Sequence, residues 1–487
     1  MSGIYFNYGE LYDKIYGCWI GKSIGGTLGT PYECRQELLD VTGFSSPPGK
    51  PLPNDDLDLQ LIWLTALENH GPLGINERVL GEYWINYIPP SWNEYGIGKS
   101  NMKAGLLPPL SGDYNNAWKH SNGAWIRSEI WACCTPGRPD LAVKYAYNDA
   151  CVDHGMGEGT YAELFTAAVE SAAFVEKDSE RLINIGLSYL PPDSRMARSI
   201  RMVLDGYQKK VDWKTVREQV IKDSDDLGWF QAPANVAFTV LGWLYGEGDF
   251  KKSLLIAVSC GDDTDCTAAT LGSILGITGG YKNIPKDWIE YVGDEIISVA
   301  IDRGSIWTLP PTCTALAERT INMTRQVLAA HRTGIDVGSE KTDAAGFNAD
   351  SLFASQTHND WLMGLDGSIE YDFIHSCAYI KFPDGIELGS TEGKEIRITV
   401  LIKNKMPSQQ HYDINYHAPD GICTLGPRHV AVMTNTLCTK NESSFSFVVS
   451  VQPGKETPST SRLILEIVPA GRPTVMLVPI VLFGASA

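Results

Sequence analysis

The sequence has no run of about 18 apolar residues, the length a helix needs to cross a bilayer, so no membrane span is expected. Its first residues, MSGIYFNYGELYDK, lack the basic and apolar segments of a secretory leader, which makes the cytoplasm the expected compartment. Lys and Arg total 40 against 58 Asp and Glu, a net charge of −18. With no basic stripe to neutralise phosphates, nucleic acid is excluded as an expected partner. An anionic ligand would have to be met locally, by a metal or by helix N-termini. The 11 cysteines are odd in number and scattered, with no Cys-x-x-Cys pair, and the adjacent Cys133-Cys134 is not a usual bridge. They read as reduced, buried thiols of a cytosolic protein. Internal repeats and low-complexity tracts are absent as well.

What is present falls into two textures. In residues 1–335, apolar residues recur at helical spacing, as in Leu59, Ile62, Trp63, Ala66 and Leu67, or more loosely Ile183, Leu187 and Leu190. Leu254, Leu255 and Val258 open a helix that resumes after a break with Ala268, Leu271, Gly272 and Leu275, and 315–332 reads as the last helix. No alternating strand pattern occurs before residue 340. Residues 336–364, polar and rich in Gly, Asp and Ala, read as a linker or long connection. Residues 365–487 carry β-branched and aromatic runs at 378–382, 396–400, 445–449 and 463–468, separated by Pro383-Asp384-Gly385 and Pro453-Gly454. The expected architecture is an all-α multi-helix domain followed by a smaller all-β sandwich of the immunoglobulin-like kind.

Two acidic clusters stand out. Asn54-Asp55-Asp56-Leu57-Asp58 precedes the apolar helix at 59–68. Asn54 suits an N-cap and the carboxylates suit the helix dipole, so capping alone accounts for them. Adjacent carboxylates at a helix start can equally face one hard cation. The second cluster, Asp262-Asp263-Thr264-Asp265, lies between apolar stretches. If it is buried, its mutual repulsion calls for protons or a cation. No Gly and Glu follow at EF-hand offsets. Gly17, Gly21, Gly25 and Gly29 repeat every four residues, a bare stripe if helical. The segment from Gly25 to Glu33 reads as a loop ending in an acid. It lacks the Lys-Ser/Thr of a P-loop and a preceding strand for a dinucleotide fold.

Taken in order, these segments resemble the ADP-ribosylglycohydrolase family, also called the dinitrogenase-reductase-activating glycohydrolase family. Gly25-Gly26-Thr27-Leu28-Gly29-Thr30-Pro31-Tyr32-Glu33 is similar to the family pattern G-D-A-L-G-A-P-x-E. Asn54-Asp55-Asp56-Leu57 stands where members have T-D-D-T, and Gly261 to Cys266 where they have G-G-D-T-D-T. Asn122 to Arg127 matches N-G-x-x-x-R, His154 sits where members line the pocket with a histidine, and Ile284 to Trp288 closes the series. The departures are Gly26 for Asp, Asn54 and Leu57 for Thr, Asp262 for Gly, and Cys266 for a hydroxyl residue.

The resemblance implies an all-helical hydrolase with two divalent ions, Mg²⁺ first and Mn²⁺ as the alternative, because sulfur at Cys266 suits softer ions better. It implies metal ligation by Asn54, Asp55, Asp56, Asp263, Asp265 and Cys266, with Asp265 bridging. It implies acid/base work by Glu33 and substrate contacts from Asn122, Gly123, Arg127 and His154. The reaction would cleave the N-glycosidic bond of an ADP-ribosylated substrate through an oxocarbenium-like state. Two other readings stay open: hydrolysis of a small ribosyl N-glycoside, and a catalytically silent binding or structural protein. The sequence leaves the oligomeric state open.

Overall fold

A computed structural model of the protein describes residues 3–302, 304, 308–388, 394–433, 441–456 and 458–484. The chain divides into two compact units, Met1–Leu365 and Asp366–Ala487.

The first unit is helical. Its opening helix, Tyr8–Gly29, starts at Asn7, whose side chain accepts from the amides of Gly9 and Glu10. The four glycines at spacing four form one face, and that face lies directly on the helix Thr264–Gly279. A Cβ placed on Gly21 would sit 2.0 Å from the Gly272 carbonyl oxygen, and one on Gly25 2.1 Å from that of Ala268. Any side chain there would force the backbones apart, so the bare stripe is what permits the contact. The expected loop from Gly25 is therefore corrected. The helix runs on to Gly29, because the small-residue contact offsets the poor helix propensity of glycine, and only Thr30–Tyr32 tightens into a 3₁₀ turn.

The second acidic cluster also sits in a helical break, between Phe250–Ser259 and Thr264–Gly279, and the last long helix is Cys313–Ala330. One expectation about strands is corrected. Tyr5–Asn7 forms a three-residue strand paired in parallel with Asp336–Gly338, too short to show alternation and with a partner over 300 residues away. Residues 336–364 carry structure of their own. A 3₁₀ turn at Ala349–Leu352 and a helix at Gln356–Met363 bury Leu352 and Leu362, and the Tyr189 hydroxyl donates to the Leu352 carbonyl at 3.0 Å. All ten described cysteines are free, and eight of them are buried. Among the described residues no helix is long and apolar enough to cross a membrane.

The second unit is a two-layer β-sandwich. One sheet runs, edge to edge, Ile369–Asp372, Ser376–Lys381, Glu395–Asn404, Glu442–Val451 and Ile422–Leu425. The other runs Glu387–Leu388, Met476–Gly484, Thr460–Pro469, Gln410–His417 and His429–Val432. Neighbours are antiparallel except at the short Glu387–Leu388 strand, which joins the last strand in parallel. Period-two alternation turns Ile396, Ile398, Val400 and Ile402 inward from one sheet and Leu463, Leu465 and Ile467 from the other. The Tyr416 and Phe447 rings meet between the sheets at 4.9 Å, giving the immunoglobulin-like sandwich expected.

Replacing Gly21 by Ala is expected to destabilise the protein by about 1–3 kcal/mol, the usual range for overpacking a tight contact. Gly43→Ala, where a Cβ meets nothing within 4 Å, should change stability by less than about 0.5 kcal/mol. Urea titration checks both, and equal midpoints for Gly21→Ala and the native protein would refute the close approach.

Candidate active site

Three turns of chain converge on one cavity of about 360 Å³. The Thr30–Tyr32 turn ends the glycine-faced helix and presents Glu33. The start of the helix Asp55–His70 presents Asn54 and Asp55, and the start of Thr264–Gly279 presents Asp263, Asp265 and Cys266. Asn122 and Gly123 complete the predicted residues on its wall. The two acidic clusters therefore face each other from two helix N-termini, where the dipoles favour negative charge.

The hydrogen bonds tie the clusters together. Asn54 caps its helix by accepting from the Asp56 amide at 2.7 Å, and its amide nitrogen donates to Asp265 Oδ2 at 3.2 Å. Asn122 Nδ2 donates to Asp263 Oδ2 at 2.7 Å, and the Tyr95 hydroxyl to Asp55 Oδ2 at 3.2 Å. The Cys266 thiol donates to Asp56 Oδ1 at 3.5 Å. Even so, Asp56 Oδ2, Asp263 Oδ1 and Asp265 Oδ1 are buried without a hydrogen-bond partner.

The charge balance is poor. Burial, followed by the Asp265 charge, pushes Glu33 up to about 8 and Asp55 up to about 7. Asp56, Asp263 and Asp265 are raised too, again mainly by burial. The nearby cation, Lys22, is buried. Burial opposes its charge, but Glu129 and then Asp56 outweigh that and raise its pKa. Its Nζ is 2.6 Å from Glu129 and 3.9 Å from Asp56, so Glu129 takes most of it. Orphaned carboxylate oxygens from separate segments are the donor set a hard cation requires. Asp56, Asp265 and Cys266 each offer an atom within 4.8 Å of the others. The thiol is the weaker member: burial, then the neighbouring carboxylates, raises its pKa well above the usual range and keeps it protonated.

Two predicted substrate residues lie behind the wall rather than on it. Arg127 is fully buried. Its Nε donates to Asp149 at 2.8 Å, its Nη2 to Asp153 at 2.7 Å and its Nη1 to the Gly123 carbonyl at 2.5 Å, with its guanidinium over the Trp84 ring. His154 is fully buried, with Nε2 3.1 Å from Ser121 Oγ and Nδ1 3.0 Å from Asp153. The 3₁₀ turn Trp125–Arg127 explains the split, since it carries Arg127 away from the face that holds Asn122. Asp56 also lies one layer below the cavity, between Cys266 and Lys22.

Sequence reasoning missed several wall residues. Glu94 is buried and its Oε2 has no hydrogen-bond partner, while Tyr95 and Phe230 supply apolar surface. The only hint of Glu94 was an acid beside aromatic residues. It also accounts for Gly123, where a Cβ would lie 2.1 Å from Glu94 Oε1. Asp262, the third acid of its cluster, turns away. At φ +70° it accepts from the Phe230 amide at 3.0 Å and from Asn235 at 3.2 Å, pinning the Phe230 segment.

The family model for ADP-ribosylglycohydrolase matches residues 8–324. A curated relative, ADP-ribosylarginine hydrolase Tri1 of Serratia proteamaculans (strain 568), is 43% identical over 47 residues, which is 10% of this chain and 13% of that protein. Among solved structures, a chain of an ADP-ribosylglycohydrolase-related protein complex is 19% identical, covering 65% of this chain and 99% of its own, with a TM-score of 0.45. A FixG-related protein from Vibrio parahaemolyticus is 9% identical, covering 23% of this chain and 100% of its own, with a TM-score of 0.19. The family match spans both acidic clusters, Glu33 and the Asn122 segment: the chain belongs to the ADP-ribosylglycohydrolase family.

Proposed function

We propose that this chain is a divalent-metal-dependent hydrolase of the N-glycosidic bond to ADP-ribose. The observation that carries the proposal is the convergence of Asp55, Asp56, Asp263 and Asp265 beside one cavity, with buried oxygens of Asp56, Asp263 and Asp265 left unpaired. Those four carboxylates would hold the ions, with Cys266 added for a softer ion. The Asn54 side-chain oxygen caps its own helix and its nitrogen faces Asp265, so Asn54 would orient a ligand and not be one. Mg²⁺ is the ion first favoured by oxygen ligands, with Mn²⁺ as the alternative. When bound, such ions supply Lewis acidity and a seat for ribose hydroxyls and a water.

The protein's own groups do the rest. Glu33 stands on the cavity wall beside the aspartates, and with no ion bound burial and then the Asp265 charge raise it to about 8. It is the group placed to give a proton to the leaving nitrogen or take one from the attacking water. Asn122 fixes the orientation of Asp263. Arg127 and His154 act as positioning residues that hold the Asn122–Gly123 wall in place. The relative's name points to arginine as the acceptor of the ADP-ribosyl group. A cavity of about 360 Å³, near the small end of ligand sites, favours a second reading, a nucleoside-sized ribosyl N-glycoside.

A panel of ADP-ribosyl-arginine, ADP-ribosyl-serine, O-acetyl-ADP-ribose and nucleosides, assayed for released sugar with Mg²⁺ or Mn²⁺, separates these readings. Turnover is expected on the arginine conjugate, with at least a ~100-fold loss in Asp55→Ala and Asp265→Ala, in line with other site-assembling residues. Activity that survives both substitutions, or that needs no divalent ion, sinks the proposal.

Metal removal should have a pH signature. A carboxyl whose folded pKa is raised favours folding while protonated, and that contribution is lost as pH rises from the unfolded value of about 4 through the folded values, about 7 for Asp55 and about 8 for Glu33. In EDTA the melting temperature should therefore fall between pH 5 and pH 8, and Mg²⁺ should restore more at pH 8 than at pH 5. Equal shifts at both pH values would contradict the buried-charge account.

Glu33→Gln keeps the shape but not the proton transfer. It is expected to lower kcat by roughly 10²–10⁴-fold, the usual contribution of an acid/base group, with KM and metal binding little changed. Steady-state kinetics check this, and full turnover would remove Glu33 from the chemistry.

A further inference from the structure

The outer face of the β-sandwich carries chemistry that the acidic cavity does not use. The strand Gln410–His417 pairs antiparallel with the edge strand His429–Val432, with Asp413 opposite His429 and His411 opposite Ala431. Alternation buries Gln410, Tyr412, Ile414, Val430 and Val432, and leaves His411, Asp413 and His429 exposed on one face. There His411 Nδ1 lies 3.0 Å from His429 Nε2, the other His429 nitrogen lies 3.2 Å from Asp413 Oδ1, and Gln409 Nε2 lies 3.1 Å from His411 Nε2.

We propose that His411 and His429 form a binding site for a d-block divalent ion, with Asp413 as its orienting carboxylate. A metal–imidazole bond of about 2.0–2.1 Å places two adjacent ligand nitrogens roughly 2.9–3.4 Å apart, for angles of about 90–110°. The observed 3.0 Å lies in that range without rearrangement of either strand. With the His429 Nδ1 proton turned toward Asp413 Oδ1, 3.2 Å away, the Nε2 lone pair faces His411, the carboxylate–histidine–metal arrangement that sets the tautomer.

The protons balance without redox chemistry. Two neutral rings carry two N–H groups. One stays on His429 Nδ1 toward Asp413. The other, shared between the rings when no ion is bound, moves to His411 Nε2, where the Gln409 amide accepts it once its oxygen is turned inward. Both facing nitrogens then bind the ion as neutral ligands. Exposure on an edge strand leaves the remaining coordination positions to water. Imidazole pairs favour Cu²⁺, Ni²⁺ and Zn²⁺ over Mg²⁺ and Ca²⁺, so this site and the carboxylate centre would select different ions. A signal from two coupled imidazole nitrogens that disappears when His411 or His429 is replaced therefore belongs to the β face.

The test is a Cu²⁺ titration of the full-length chain in excess Mg²⁺, read by electron paramagnetic resonance, with Zn²⁺ calorimetry alongside. One centre per chain with hyperfine coupling to two nitrogens is expected. His411→Ala and His429→Ala should each abolish the two-nitrogen pattern, while His417→Ala keeps it. Asp413→Asn retains both ligands and should weaken Zn²⁺ about 10–100-fold, as loss of an orienting partner does. Hydrolytic turnover and melting temperature should not change in the His variants, because these side chains are exposed. A native chain without two-nitrogen coupling, or a double variant that retains it, overturns the site. Unchanged Zn²⁺ affinity in Asp413→Asn overturns the role given to Asp413.

Discussion

The candidate site depends on backbone contact between two helices. Tyr8–Gly29 and Thr264–Gly279 touch along glycines and an alanine, not through interleaved side chains. Side-chain packing tolerates small slips, because rotamers can adjust. Backbone packing does not, since no flexible atoms remain between the axes. The same contact reaches Gly29, where a Cβ would lie 2.3 Å from the Thr264 carbonyl oxygen. It therefore fixes the exit of one helix, which presents Glu33, against the entrance of the other, which presents Asp263 and Asp265. Residues more than 200 positions apart are held in register by a stripe of glycines.

That rigidity lets the site hold charges that repel one another. A looser scaffold would relieve buried like charges by moving them apart or into water. Here the Asp56 and Asp265 carboxylates and the Cys266 thiol stay within 4.8 Å, and their burial, more than their mutual repulsion, raises their pKa values and leaves carboxylate oxygens unpaired. Lys22 cannot neutralise the group because Glu129 holds it more closely. The unmet demand is thus for protons or for a cation supplied from outside the chain.

The sequence made the helical texture, the sandwich strands and the facing acids legible, since each depends on local periodicity or on ordered motifs. It concealed the features that depend on distant partners. The Gly25–Gly29 segment looks like a loop until its small-residue partner is known, and Tyr5–Asn7 looks like no strand without Asp336–Gly338. Arg127 and His154 lie behind the cavity wall, because spacing along the chain does not say which way the 3₁₀ turn at Arg127 or the helix end at His154 will face. Glu94 gave almost no signal, as its importance lies in its burial and its contact with Gly123, neither of which has a local signature.

The structure also relates departures from the family pattern that look independent in sequence. A Cβ on Gly26 would lie 2.6 Å from Asn54 Nδ2 and 3.1 Å from its Cγ. Asn54 in place of Thr extends further toward that helix, and Gly26 in place of Asp leaves the space it occupies. From there Asn54 both caps its own helix and donates to Asp265, so one larger residue and one smaller residue bridge the two acidic clusters. Asp262 in place of Gly keeps a left-handed backbone that an Asp tolerates better than most residues, and its carboxylate is used to hold Phe230 on the cavity wall. These exchanges preserve the positions of the aspartates while changing their surroundings. The altered residues thus act on how the acidic clusters are lined and bridged, and leave the aspartates themselves in place.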